Sequence, residues 1–140
     1  MRNIILLLAF LSLSFAGCSG KIDVRGKVTF PDGEPLTKGA VIFQNEQIMV
    51  QGNIQADGTY RLGVLKDGDG VPPGSYQVFI SGAVDGVPAP AREKASDPML
   101  DPQITYLIDK KLTQPDTSGL TCVVEKGMKL PYNITAEPPQ

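Results

Sequence analysis

The chain has no histidine and no tryptophan, and only two of its 140 residues are cysteine. Each absence removes a class of chemistry. Zinc and most transition-metal centres draw on several His and Cys ligands, so no such ligand set exists here. Ser-His-Asp and Cys-His catalysis fail because the general base is missing. The aromatics are five Phe and four Tyr, and nothing groups them into a flat platform for a sugar ring. Charge of one sign is also missing: 13 basic and 15 acidic residues are spread along the chain, for a formal net charge of −2. Nucleic acid and anionic lipid are recruited by charge only through a concentrated basic face, so charge alone brings neither here, and nucleic acid is excluded as a partner. Phosphate-cradling loops need a glycine-rich turn feeding a helix, and no helix pattern follows any of these glycines.

Long apolar runs are absent too, with one exception at the N-terminus. Arg2 precedes a run over residues 4–15 that is interrupted only by Ser12 and Ser14. The run is short of the roughly 20 residues that span a bilayer and matches the apolar core of an export signal. Phe15, Ala16 and Gly17 then lead into Cys18. The segment "FAGC" resembles the bacterial lipobox, departing from it at Phe15, where that motif prefers an aliphatic residue. The resemblance implies a leader of residues 1–17, cleavage before Cys18, a diacylglycerol thioether on Cys18 and a short tether over residues 18–21. An uncleaved anchor is the alternative. Acyl chains contribute about 0.8 kcal/mol per buried CH₂, so two or three of them hold a protein to a bilayer essentially permanently. Ser19 stands where Asp would signal inner-membrane retention in the best-known sorting rule, which favours the outer membrane. The expected location is therefore exported and membrane-anchored. Arg2 is one of the 13 basic residues, so its removal leaves 12 against 15 acidic.

A lipidated Cys18 leaves Cys122 without an intramolecular partner. Cys122 lies in "GLTCVVEKG", an apolar strand-like run, where a thiol acts as a small buried hydrophobe. A reactive or intermolecular thiol is the other reading.

Glycine and proline are abundant, at 15 and 12 residues, and they punctuate the chain at short intervals. Such spacing favours short strands over long helices. "KIDVRGKVTF" puts Val24, Val28 and Phe30 on one face; "GAVIFQ" is the next strand; "MVQGNIQADGTYRLGV" reads as a hairpin with Asp57-Gly58 at its tip. "SYQVFISG" alternates Tyr76, Val78 and Ile80 against Ser75, Gln77 and Phe79. The period lapses in a proline-rich excursion over about 82–103, long for an internal loop and the best candidate for a partner surface. "ITYLI" is a further short strand, and "TSGLTCVVEKG" with "MKLPYNITAEP" forms a closing hairpin across Lys126-Gly127, with Leu130, Tyr132 and Ile134 on one face. The pattern predicts an all-β chain, a seven-stranded antiparallel β-sandwich over residues 22–137 with a tail at 138–140.

Five short motifs then recur in order: Val24, Gly26 and Val28; Asp32-Gly33 with Pro35-Leu36; Gly39-Ala40 with Val41; Asp57-Gly58 with Tyr60; and Pro73-Gly74 with Tyr76 and Val78. Together they resemble the carboxypeptidase regulatory-like domain, over residues 22–82. "DTSGLTCVVEKG" is similar to the C-terminal strand pair of small bacterial lipoproteins carrying that domain. The resemblance implies a transthyretin-like sandwich and no catalysis, since that domain is an accessory to a separate zinc enzyme whose metal motif is missing here.

Asp67 and Asp69 in "KDGDGVPPG" are the weak calcium candidates, two carboxylates one residue apart, short of the ligand set of a hard-oxygen site. Solvated turn carboxylates are the plainer reading. A paired-carboxylate glycosidase needs a shaped cleft between its acids, which a small domain with its acids in turns does not offer. The expected function is that of a non-catalytic envelope lipoprotein with no cofactor, with a structural or binding role toward an envelope protein or polysaccharide. The alternatives are a calcium-dependent adhesion or carbohydrate-binding module, and an accessory subunit of an exported enzyme.

Overall fold

In the computed structural model the described residues are 20–87 and 103–140. The leader, Cys18 and residues 88–102 of the proline-rich excursion lie outside them. The described residues are all-β apart from one 3₁₀ turn at Lys110–Thr113 and one helical turn at Pro115–Ser118. Its strands are β1 (Arg25–Thr29), β2 (Ala40–Gln44), β3 (Met49–Asn53), β4 (Thr59–Arg61), β5 (Gly74–Ser81), β6 (Val84–Val87), β7 (Gln103–Tyr106), β8 (Leu120–Val124) and β9 (Ile134–Thr135). One sheet runs β4-β1-β9, a second runs β3-β2-β5-β8, and β6-β7 is a separate pair.

Alternation in the sequence explains which faces turn inward. Gly26 and Val28 of β1 are buried between more exposed neighbours, as are Tyr76 and Cys122 of β5 and β8. Val24, Val28, Tyr60 and Ile134 from the first sheet join Val41, Phe43, Val50, Tyr76, Val78, Ile80 and Val124 from the second in one apolar cluster. Each fully buried side chain of this size stabilises the fold by about 1.5–3 kcal/mol. Phe79 departs from the alternation. It is buried beside its cross-strand partner Ile42, on the face where a polar surface is expected.

Three expectations are corrected. The Asp57-Gly58 tip forms, with Gly58 N donating to Gln55 O at 2.9 Å. Asp57 Oδ1 accepts from the Thr59 hydroxyl at 2.6 Å and the Thr59 amide at 3.0 Å, and these bonds hold its carboxyl below the usual range. The arms stay bridged by Gln55 N to Thr59 O at 2.8 Å and Gly63 N to Gln51 O at 3.0 Å, but their ladders lie in different sheets, β3 with β2 and β4 with β1. They cross where a Cβ on Gly52 would lie 2.3 Å from the Arg61 carbonyl oxygen. A residue with no side chain lets one backbone pass over the other.

The closing hairpin is the second correction. Gly127 turns the chain with φ 80°, but β8 pairs with β5, and β9 pairs with β1 in parallel, so the arrangement is not wholly antiparallel. Backbone groups of β1 capture the segment leading into β9: Tyr132 N donates to Arg25 O at 2.9 Å, and Lys27 N donates to Asn133 Oδ1 at 3.1 Å. Third, the excursion begins as structure. Ala83 is buried, β6 pairs with β7, and Lys38 and Asp85 form an ion pair.

Tyr132 ties the sheets together. Its carbonyl accepts the Tyr60 hydroxyl at 2.5 Å, its ring meets Phe43 edge-on at 5.7 Å, and its hydroxyl donates to Thr121 O of β8 at 3.1 Å. A Cβ on Gly26 would lie 1.9 Å from that carbonyl. Gly26→Ala is therefore expected to cost about 2–3 kcal/mol in urea unfolding, since no flexible side chain is there to move aside.

Burial, then the nearby Tyr132 and Cys122, pushes the Tyr60 phenol well above its ordinary 10.0. Tyr132 and Tyr76 shift the same way, chiefly through burial. A phenol whose folded pKa is raised contributes stability that is full below the unfolded value, near pH 10, and is lost as pH rises beyond it. Tyr60→Phe is expected to lower stability by about 1–2 kcal/mol at pH 7 by orphaning the Tyr132 carbonyl. It is also expected to flatten the decline of the urea midpoint between pH 9 and 11.

Candidate functional site

The structure brings together two features that are far apart in the sequence, the tether and the Asp67–Asp69 turn. Ile22 N donates to Val71 O and Val71 N to Ile22 O, both at 2.8 Å, so the chain is gripped four residues after Cys18. Gly70, at the end of the turn, lies against Lys21, where a Cβ would sit 3.0 Å from Lys21 Cβ.

The turn is shaped by its own carboxylates. Asp69 Oδ2 accepts from Lys66 N at 3.2 Å, and Asp69 N returns a bond to Lys66 O at 3.2 Å. Asp67 Oδ2 accepts from Asn53 N of β3 at 3.3 Å. Two acids that read as possible cation ligands thus serve as acceptors for backbone donors. Among the described residues no group of three His, Cys, Asp or Glu side chains converges on a point.

Beside the turn, Arg61 of β4 reaches across Gly68 and pairs with Asp23, Nη2 to Oδ2 at 2.9 Å and Nε to Oδ1 at 3.3 Å. Arg25 adds a looser contact to Asp23 at 3.5 Å. These groups are about half exposed, so each pair contributes about 0.2–1 kcal/mol and acts mainly to fix geometry. The outward side chains of β1 and β4, Arg25, Lys27 and Arg61, border an open groove of about 430 Å³ floored by Gly26 and Tyr60.

The remaining candidates lie elsewhere. Cys122 is a free thiol, 6% exposed and facing the core, and burial raises its pKa, which removes thiolate at neutral pH. Tyr60 and Tyr76 are core residues, Tyr132 is half-buried, and Tyr106 carries Lys110 Nζ over its ring at 4.9 Å. The buried Ser118 hydroxyl bonds Val78 O at 2.6 Å and accepts from Leu120 N, a splice between the helical turn and β8. No helix among the described residues is long and apolar enough to cross a membrane.

Asp23, Arg61 and Leu65 were not singled out by sequence. The first two meet only because β4 pairs beside β1. Leu65 left one signal, an apolar residue standing beside the polar, turn-rich run "KDGDG". Compared with protein-family models, curated proteins and solved structures, the chain finds no match.

With the turn carboxylates engaged by backbone amides, millimolar calcium is expected to leave the thermal midpoint unchanged. A rise of several degrees in a calcium-against-chelator melt would restore the cation-binding reading.

Proposed function

We propose that the chain is an exported lipoprotein, held to a bilayer through acylated Cys18, with a non-catalytic domain that serves a structural or binding role at the cell envelope. The observation that carries this reading is the junction itself. An apolar leader ends at "FAGC", and the first paired residue of the fold, Ile22, follows Cys18 by four positions. A lipid on Cys18 would then sit directly at the edge of a folded domain.

The domain is read as a seven-stranded transthyretin-like sandwich. A three-stranded and a four-stranded sheet with one shared apolar cluster support that reading, with β6-β7 as an addition. The resemblance to the carboxypeptidase regulatory-like domain supports it from the sequence side, its turn glycines Gly33 and Gly58 both having positive φ and Gly74 opening β5. The buried thiol and the turn acids bonded to backbone donors support a binding or structural role. Ser19 favours the outer membrane as the destination.

Metabolic labelling with a palmitate analogue tests the reading. Label is expected on the wild type and absent from Cys18→Ala, and equal labelling of the two would overturn it.

A further inference from the structure

We infer that the loop carrying Leu65 is a membrane contact, its side chain entering the lipid interface beside the anchor. This rests on the reading of Cys18 as the lipidated residue. Leu65 is 89% exposed, against 57% for Met49, 56% for Val123 and 53% for Ile104, the other large apolar side chains in the open among the described residues. A single exposed leucine is ordinary on a protein surface. This one is distinguished by its position and by how it is held.

Cys18 precedes Ile22 by four residues, a reach of at most about 14 Å for an extended chain. The domain therefore cannot move far from the bilayer, and the surface around Ile22 faces it. That surface is the Leu65 loop: Lys21 packs on Gly70, and the bond from Asp69 N to Lys66 O closes the loop just beyond Leu65. Its base is fastened by Gly63 N to Gln51 O at 3.0 Å and Gly70 N to Leu62 O at 3.2 Å. Val64 packs against the core, which turns the adjacent Leu65 outward. Little ordering entropy remains to be lost when it meets lipid.

The charges around the loop suit the same occupant. Asp23 is paired with Arg61, while Asp67 and Asp69 keep their charge and direct one carboxylate oxygen each to Asn53 N and Lys66 N. Neither Lys21 nor Lys66 forms an ion pair among the described residues. Lys66, next to Leu65 in the chain, and Lys21, packed on Gly70 of the same loop, are cations that match a layer of lipid phosphates above acyl chains.

The test uses the full chain purified with its lipid and reconstituted in phosphatidylethanolamine–phosphatidylglycerol vesicles. The vesicles contain a phospholipid with a diazirine on its acyl chain, and crosslinks are mapped by mass spectrometry after irradiation. The reference is the exposed loop 31–34, at the far end of β1 and roughly 17 Å from Arg25 at strand spacing. Label on residues 64–66 is expected to exceed label on 31–34 by about tenfold, the bias given by burying one leucine side chain. Leu65→Asn is expected to bring the label on Val64 and Lys66 down to the reference while leaving the thermal midpoint unchanged. Equal labelling of the two loops in the wild type, or unchanged label on Val64 and Lys66 in Leu65→Asn, overturns the proposal while the protein still floats with the vesicles. A wild-type chain that does not float overturns the anchor and this proposal together.

Discussion

The carbonyl oxygen of Tyr132 locks the first sheet together, and the side chain of the same residue carries that sheet onto the second. The carbonyl accepts the buried Tyr60 hydroxyl, and it reaches that position because Gly26 has no side chain to obstruct it. A buried carbonyl left without a donor costs about 1–3 kcal/mol, and so does a buried hydroxyl left without an acceptor. Each group therefore keeps the other in place, and the low-dielectric setting that strengthens the bond also holds the phenol proton. From the same residue, an amide joins β1, a ring meets Phe43 of β2 and a hydroxyl reaches β8. The parallel placement of β9 beside β1 follows from this capture.

At one end of the domain, local turn chemistry and the chain's point of entry fall in the same place. Asp67 and Asp69 each accept a bond from a backbone amide, which shapes the turn. The bridge between Ile22 and Val71 anchors the entering chain against that loop. Arg61 links the two by covering Gly68 while pairing with Asp23.

Much of the strand content was legible in the sequence, and the reason is period. Tyr76, Val78 and Ile80 alternate in the chain and are buried together, as are Val24 and Val28. Pairing was less legible. The turn at Asp57-Gly58 forms where its chemistry requires, yet β3 and β4 enter different sheets because Gly52 permits a crossing. The turn at Gly127 likewise forms without making its flanks a hairpin. Turn residues act over a few positions, whereas partners are chosen by burial across the whole core. Phe79 shows the same limit, since its burial depends on Ile42 across the strand.

For the candidate site, the expected leader ending at Cys18, the Asp67–Asp69 turn and the apolar run around Cys122 were each legible because they are written in consecutive residues whose chemistry is local. The sequence also determined the exclusions, because a missing histidine cannot be supplied by folding. Only the tertiary structure decided that the tether and the turn are neighbours, that the turn acids face backbone donors, and that Val64 turns in while Leu65 turns out. The physical reason is that hydrogen-bond acceptance and solvent exposure belong to pairs of groups brought together by long-range packing. No residue carries them in its own letter.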